Sequence, residues 1–201
     1  MPNMLDPRIW RDWRNARPAP FGRSAVRMLY MGTNTHGADF ALLRPALERL
    51  ADERPGCFEL TLVGVGHDIE GAPWLYRQSP PGDMIAYPRF VRWLRSQGPY
   101  DVGLAPLVET PFNRAKSDIK LLDYLALGML PVVQDCPAYR LDPDADRVAR
   151  HASDWFETLR GVIDDRDGAR DSAAAGHGWL WEKRTVAAIA APMIARLEAL
   201  L

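Results

Sequence analysis

Short apolar runs alternate with longer stretches of helical periodicity from residue 26 onward. Each run is the length of a buried strand, and the helical stretches between the runs are long enough to cross from one strand to the next. This alternation is typical of a parallel α/β sheet. The predicted strands are residues 26–31, 58–65, 84–87, 102–105 and 130–133.

Helical periodicity fills most of the segments between these strands and nearly all of the C-terminal third. The predicted helices are residues 39–52, 88–96, 117–127, 152–163, 169–175 and 185–201. Proline and glycine interrupt residues 67–83, and residues 109–115 are polar, so both segments are expected to be irregular loops. No strand is predicted after residue 133. The last helices are therefore expected to cover one face of the sheet or to contact a partner domain.

Residues 1–25 form a different segment, rich in arginine and proline. They are expected to be a linker that contains a short helix at residues 7–15. Ile9, Trp10 and Trp13 share one face of this helix, and arginines flank them. The pattern is compatible with docking at a membrane surface or with tryptophans that pack on the following domain. The shortness of the helix favours packing.

The composition indicates an ordinary globular chain and narrows the class of partner. A length of 201 residues is close to that of one domain, so residues 26–201 are expected to form a single unit. The formal net charge of -1 argues against a nucleic-acid surface, and a sugar or another small molecule fits better. Cys57 and Cys136 belong to no paired or metal-binding motif, and we expect both to be buried core thiols.

The same features bear on location. Unpaired cysteines favour a reducing compartment, and no apolar run is long enough to span a bilayer. We therefore expect a cytoplasmic protein without a transmembrane segment, with peripheral contact to a membrane surface left open by the N-terminal helix.

Candidate chemistry follows the carboxyl ends of the predicted strands, where open parallel sheets bind their ligands. The richest segment precedes the predicted helix at 117–127. Ser117 is a plausible N-cap for that helix, whose first backbone N–H groups and dipole favour a phosphate. Arg114 and Lys116 add positive charge beside it. A diphosphate carries enough negative charge to need both the helix N-terminus and the cationic side chains, whereas a neutral sugar needs neither.

The helix at 117–127 has two stripes. Ile119, Leu122, Leu125 and Ala126 are expected to face the core, while Lys116, Lys120 and Asp123 recur on another face. A carboxylate in this place can accept hydrogen bonds from the two neighbouring hydroxyls of a ribose, as in other nucleotide-binding folds. The alternative is an exposed ion pair between Lys120 and Asp123.

At this segment the sequence resembles a known family. The run Lys-Leu-Leu-Asp-Tyr-Leu-Ala-Leu-Gly at 120–128, followed by Pro-Val-Val at 131–133, resembles the nucleotide-sugar motif of group 1 glycosyltransferases of the GT-B architecture. The segments at 29–32, 62–66 and 101–106 match the strands expected in the C-terminal half of such an enzyme. The resemblance covers about residues 26–139 and implies a Rossmann-like doubly wound parallel sheet with helices on both faces.

The resemblance also implies roles. Asp123 would hold the donor ribose, the region from Arg114 to Ser117 would meet the diphosphate or the sugar, and residues 85–90 would lie against the base. Gly32 and Thr33, in the turn after the first strand, join the expected donor-binding set. The partners implied are a nucleoside-diphosphate sugar and a glycan or lipid-linked acceptor. The scheme requires no metal and no other cofactor.

Two departures from the family pattern limit these expectations. Many relatives carry a second acid eight residues before the ribose-binding acid, where this chain has Ala115; Glu109 in the same loop is a candidate substitute, or a surface acid without a ligand. Catalytic residues are accordingly not assigned, and Glu109 and Lys116 are candidate contacts to the donor sugar. Second, only about 25 residues precede the first predicted strand, whereas the family has an acceptor-binding N-terminal half.

We therefore weigh three hypotheses. The first is the donor-binding half of a glycosyltransferase, inactive alone and completed by an N-terminal acceptor domain or subunit. The second is a non-catalytic nucleotide-sugar-binding module. The third is an epimerase or hydrolase of the same architecture, which also needs a cleft between two halves. A flavodoxin-like or dinucleotide-binding protein is disfavoured, because the turn at 32–37 lacks the glycine spacing of a pyrophosphate-binding loop.

Overall fold

A single sheet of six parallel strands forms the centre of the molecule in the computed structural model, which describes residues 3–10, 21–33, 36–65, 69–140, 144 and 148–199. The strand order is β3-β2-β1-β4-β5-β6, and every pair of neighbours is parallel. The strands are β1 (Val26–Met31), β2 (Phe58–Val63), β3 (Leu75–Gln78), β4 (Val102–Ala105), β5 (Leu130–Gln134) and β6 (Arg150–Ala152).

The central strands form from continuous apolar runs because both faces of the sheet are covered. In β1, Met28 and Tyr30 belong to one apolar cluster, while Leu29 and Met31 belong to the other. The predicted strand at 26–31 is confirmed at both ends, as is the one at 102–105, and those at 58–65 and 130–133 are confirmed within two residues.

Helices cover both faces of the sheet. The face that includes Met28 packs against α2 and α6, and the opposite face packs against α3 and α5. The helices are α1 (Pro7–Trp10), α2 (Gly37–Glu53), α3 (Tyr87–Gln97), α4 (Pro111–Arg114), α5 (Ile119–Ala126), α6 (Trp155–Asp164), α7 (Arg166–Lys183) and α8 (Val186–Glu198). The two covered faces confirm the predicted Rossmann-like doubly wound sheet, whose strand order is the one described for dinucleotide-binding folds.

Both edge strands differ from the prediction. The strand predicted at 84–87 is wrong: a 3-10 turn occupies Gly82–Met84, and α3 begins at Tyr87. The third strand, β3, lies instead within the segment predicted to be irregular, and of its four residues only Leu75 is buried. Its regular structure comes from pairing with β2, through Leu60 and its neighbours, rather than from an apolar run.

The other unpredicted elements lie in the second half of the chain. The three-residue strand β6 pairs with β5, although no strand was predicted after residue 133. The loop at 109–115 contains the short helix α4, which is capped by the side chain of Thr110. The helix predicted at 169–175 is much longer, Arg166–Lys183.

Residues 3–10, here called the N-terminal strap, pack on the C-terminal helices. The Leu5 N–H donates to the Arg184 carbonyl at 2.9 Å, and the Val186 N–H donates to the Leu5 carbonyl at 3.0 Å. Trp10 is fully buried. Trp10 therefore packs on the domain and is not available to a membrane surface; Trp13 and the arginines at 11 and 14 lie outside the described residues. Among the described helices, none is both long and apolar enough to cross a bilayer.

Candidate functional site

The strand order reverses between β1 and β4. These strands are neighbours, yet the chain continues from β1 toward β2 on one side and from β4 toward β5 on the other. The loops that follow them diverge at their carboxyl ends, and such a switch point is where open α/β sheets bind ligands. A cleft of about 550 Å³ opens here, a size usual for small-molecule sites. Its lining includes Gly32, Thr33, Gly64, Ile85, Tyr87, Phe90, Ile119, Lys120 and Asp123.

Two other grooves have comparable volumes. One, of about 640 Å³, runs beside the N-terminal strap between Arg8 and Trp181, away from the strand ends. The other, of about 570 Å³, lies at the carboxyl ends of β5 and β6 and includes Glu109. The cleft at the switch point is distinguished from both by two ionisable side chains of α5 that reach it, the partly buried Lys120 and the buried Asp123.

Asp123 lies on α5 with only 6% of its surface exposed. The Tyr87 hydroxyl donates a 2.7 Å hydrogen bond to its Oδ1. Burial raises the pKa of Asp123 to about 7, and the hydrogen bond from Tyr87 acts in the opposite direction. The exposed Lys120–Asp123 ion pair is therefore excluded as an interpretation. The carboxylate is a desolvated acceptor beside the cleft, and further donors would stabilise its charged form.

Lys120 projects into the same cleft from one turn earlier in α5. Its Nζ lies 5.1 Å from the centre of the Tyr30 ring. The pKa of Lys120 is lowered to about 8, mainly by burial; the Asp39 carboxylate raises this pKa, and Lys116 acts to lower it. Two lysines are thus held near one another at the switch point, and an anion between them would relieve their repulsion.

Asp39 and His36 form a pair at this edge that the sequence patterns did not reveal. His36 Nδ1 lies 2.6 Å from Asp39 Oδ2, and Asp39 Oδ1 accepts the Val108 N–H at 2.8 Å. The only sequence signal was their three-residue spacing across the start of α2. The Val108 contact comes from the loop after β4, 69 residues away, and no local pattern predicts it.

Gly64 and Gly32 set the shape of the cleft where β1 and β2 end. Gly64 has a left-handed backbone, with φ of 68°, and a β-carbon there would lie 2.4 Å from the Gly32 carbonyl oxygen. The Gly32 N–H is used within the sheet, donating to the Val63 carbonyl at 3.0 Å. Gly32 therefore allows close approach of a ligand, rather than donating a hydrogen bond to it.

The predicted cap of α5 is wrong. Ser117 is exposed, and the N-cap residue is Asp118, whose side chain does not bond to the helix backbone. Asp118 is buried and instead pairs with Arg184, its Oδ2 lying 2.6 Å from an Arg184 guanidinium nitrogen. The N-cap residue of α5 is therefore packed in the interior, and the phosphate site predicted at this helix terminus loses its support from Ser117.

The remaining predicted site residues are divided between two places. Lys116 is partly buried, and its charge lowers the pKa of both Lys120 and His36, so it belongs with the switch-point cluster. Arg114 and Glu109 form an exposed ion pair with each other at 2.5 Å. Neither lines the switch-point cleft, and Ala115, between α4 and Lys116, is exposed.

The two cysteines are free and lie apart from this cluster. Cys57 and Cys136 are each partly buried, less completely than predicted. Burial raises the pKa of both thiols, which makes them less reactive than an exposed cysteine.

No protein-family profile matches the sequence, and no curated protein is significantly similar to it. Solved structures share its fold. The C-terminal domain of a group 1 family glycosyl transferase (LpcC) from Francisella tularensis matches with a TM-score of 0.52 and 13% identity, over 92% of this chain and 95% of that domain. Spinosyn rhamnosyltransferase SpnG, solved with thymidine diphosphate, matches with a TM-score of 0.56 and 14% identity, over 96% of this chain and 51% of that one.

A third similar structure is Alr3699/HepE from Anabaena in complex with UDP-glucose. It matches with a TM-score of 0.59 and 11% identity, over 97% of this chain and 54% of that one. The chain spans about half the length of SpnG and of Alr3699/HepE. At such low identity these likenesses establish the fold alone.

Proposed function

We propose that this chain, which has the fold of the C-terminal half of a GT-B glycosyltransferase, binds a nucleoside-diphosphate sugar in the switch-point cleft as the donor-binding half of such an enzyme. The observation that carries the proposal is the combination in one cleft of a buried carboxylate, Asp123, and a partly buried cation, Lys120, on the same helix. These two groups match the ribose and the diphosphate of the ligand.

The nucleoside end of the ligand fits the wall built by α3 and the turn before it. Ile85 is 69% exposed and Tyr87 39%, which is unusual for apolar and aromatic side chains beside a cleft. A base laid on these side chains and Phe90 would cover them. The ribose then lies beside Asp123, whose carboxylate accepts hydrogen bonds from both ribose hydroxyls. These bonds either replace the hydrogen bond from the Tyr87 hydroxyl or are made in addition to it.

The diphosphate belongs near Lys120 and Lys116. Both cations are held close to the loop after β1, and their mutual repulsion is offset by one buried carboxylate, Asp39. A charged hydrogen bond to phosphate is worth about 1.5–3 kcal/mol, and desolvation strengthens it. Arg114 can bind the diphosphate only after its ion pair with Glu109 breaks, so we expect it to contribute less to diphosphate binding than Lys116 does.

The sugar end of the ligand has no established contact. Glu109 is the candidate acid, because position 115 is alanine, but Glu109 faces the groove at the ends of β5 and β6 and pairs with Arg114. We propose that Glu109 reaches the donor sugar only when the ligand draws Arg114 toward its phosphates. The transfer to a glycan or lipid-linked acceptor requires a second half, which would hold the acceptor against the donor.

The absence of an acid at position 115 also favours a second candidate, a nucleotide-sugar-binding module without catalysis. Mixing or co-expression with an N-terminal-half protein separates the two. The half-enzyme gains transfer activity in the mixture and has none alone, whereas the module binds the ligand and stays inactive in both. Robust transfer by the chain alone would contradict both descriptions.

A calorimetric screen of UDP, GDP, ADP, dTDP and their sugars tests the proposal. One base should bind in preference to the others, and Lys116→Ala or Lys120→Ala should weaken binding by about 1.5–3 kcal/mol. Lys183→Ala, at an exposed lysine paired with Glu182, is the matched control and should leave affinity unchanged. The affinity should also fall as salt rises. Failure of every ligand to bind would refute the proposed function.

A further inference from the structure

The His36–Asp39 pair is fixed by more contacts than an ordinary ion pair at the surface. Asp39 is fixed through both oxygens, Oδ2 by His36 Nδ1 at 2.6 Å and Oδ1 by the Val108 N–H at 2.8 Å. The side chains of His36 and Asp39 are 14% and 6% exposed. With Nδ1 engaged by a carboxylate, the neutral ring carries its proton on Nδ1 and leaves Nε2 as the second functional atom.

The His36 ring lies against Gly32 at the edge of the switch-point cleft. A β-carbon placed on Gly32 would lie 3.0 Å from His36 Cδ2, the ring carbon bonded to Nε2. Gly32 and Thr33 line the cleft. Within the part of the chain that the structure describes, His36 Nδ1 is bonded to Asp39, and no protein group bonds to Nε2. The pair thus presents Nε2 at the same strand end as the two lysines.

The groups around His36 oppose one another in their effect on its proton. Burial is the largest influence and lowers the pKa of His36; Lys120 on α5 and Lys116 before it act in the same direction. Asp39, on the same helix, raises it. From β1, the Tyr30 hydroxyl donates to the His36 carbonyl at 3.4 Å and stays uncharged. The lysines are therefore the groups whose influence an anionic ligand would cancel.

We propose that His36 is a proton-linked ligand of the diphosphate: the diphosphate bound by Lys116 and Lys120 draws a proton from solvent onto Nε2, which then donates a hydrogen bond to a phosphate oxygen. Asp39 carries the counter-charge of the imidazolium through Nδ1. This inference rests on the proposed function. It adds a third cation to the diphosphate, one that exists only while the ligand is bound, and so favours the diphosphate as leaving group.

Calorimetry in buffers of different ionisation enthalpy measures the protons exchanged on binding. The probes are inorganic pyrophosphate and the tightest binder among UDP, GDP, ADP and dTDP, titrated at pH 6.5 and 8. Pyrophosphate is needed because the ribose engages Asp123, which titrates in the same range. Lys120 and the phosphates also exchange protons, so the informative quantity is the difference between wild type and a His36 variant.

Two variants keep parts of the geometry without a titrating ring. His36→Gln places an amide nitrogen near Nε2, and His36→Asn places one near Nδ1. The wild type should take up a fraction of a proton more than either variant at pH 6.5, and this difference should shrink at pH 8. Affinity for pyrophosphate at pH 6.5 should fall about ten-fold in His36→Asn, and less in His36→Gln because its amide still donates.

Asp39→Asn supplies an independent check, since it keeps the imidazole and removes the counter-charge. It should also lose the extra proton uptake, with thermal melting confirming that the variant is folded. Equal proton uptake in wild type and both folded His36 variants would overturn this inference while leaving the proposed function intact. Failure of the wild type to bind any probe would overturn both.

Discussion

Asp123 shows at the scale of a single residue how the proposed ligand-binding role opposes stability. Its carboxylate is buried and accepts one hydrogen bond, from Tyr87, where a carboxylate can accept several. The pKa of Asp123 is raised by burial to about 7, from about 3.9 in an unfolded chain. Between these values the folded protein holds a proton that the unfolded chain has lost. Stability from this group is therefore present at low pH and is lost as pH rises toward 7.

Asp123→Asn should accordingly stabilise the ligand-free chain at pH 8, where the wild type buries a charge. We expect a gain on the order of 1 to 2 kcal/mol, a discounted part of the 1.36 kcal/mol that each pKa unit represents. Near pH 4 the two proteins should differ little. Urea denaturation at both pH values measures the effect, with Asp52→Asn, at an exposed aspartate, as the control. A variant less stable than wild type at pH 8 would show that the carboxylate is structurally required.

Sequence patterns indicated Asp123 as a candidate ribose-binding residue because its helix and the preceding segment carry a recognisable order of residues. They placed Lys120 on a second stripe of the helix without assigning it to the site, since a helical wheel does not reveal that α5 is enclosed by β4, β5 and α7. His36 and Asp39 were missed for a related reason. Their significance depends on Val108, on Lys120 of α5 and on Lys116 before that helix, which meet them only in the folded chain.

At the scale of elements, the close approach of the strand ends at Gly64 and Gly32 shapes the cleft.

Strands were predictable where an apolar run is buried on both faces, as in β1 and β4. The edge strands β3 and β6 were not, because their regularity derives from pairing with a neighbour already in place. The N-terminal strap was predictable only as a linker with tryptophans, and its attachment to Arg184 depends on residues at the far end of the chain.

Alanine substitutions at three glycines distinguish the cost of a left-handed backbone from the cost of a steric clash. Gly71 has ordinary backbone and open space, Gly56 has φ of 75° and open space, and Gly64 has φ of 68° with the Gly32 carbonyl in the way. Substitution by alanine should be nearly neutral at Gly71, should cost about 1 kcal/mol at Gly56, and should cost about 2–4 kcal/mol at Gly64. Denaturant midpoints rank the three variants. Equal losses of stability at Gly56 and Gly64 would show that the close approach of the Gly32 carbonyl adds no cost at Gly64.

The buried Asp118–Arg184 pair joins three elements, because Arg184 also donates to the Asn3 carbonyl from Nε at 3.2 Å. Removing one partner leaves an uncompensated buried charge, so Arg184→Leu should destabilise the chain by about 3–5 kcal/mol. Arg170→Ala, which breaks an exposed pair with Asp167, should cost less than about 1 kcal/mol. Thermal melting compares them. A small effect of Arg184→Leu would mean that the strap and α5 are held by apolar packing alone.

At the scale of the whole molecule, one sheet brings the apolar wall proposed for the nucleoside, a buried carboxylate and a group of cations to a single strand end. The surface of α8 is also informative: Val186, Met193 and Ile194 are large apolar side chains and are each more than two-fifths exposed. This exposed face is suited to a partner, and together with the strap it fits the proposed second half. The fold was predictable as a whole because the order of strands and helices is encoded by periodicity, whereas the cation cluster arises from tertiary packing.

The most direct test of the central claim compares two ligands on two proteins. At pH 8, where Asp123 is ionised, calorimetry measures inorganic pyrophosphate and the preferred nucleoside diphosphate on wild type and on Asp123→Asn. In the variant, affinity for the nucleoside diphosphate should fall about ten-fold or more, because the carboxylate's charged hydrogen bonds to ribose are weakened. Its affinity for pyrophosphate should stay within about two-fold of wild type. Equal losses for both ligands, or no loss for either, would contradict a nucleotide site built on Asp123.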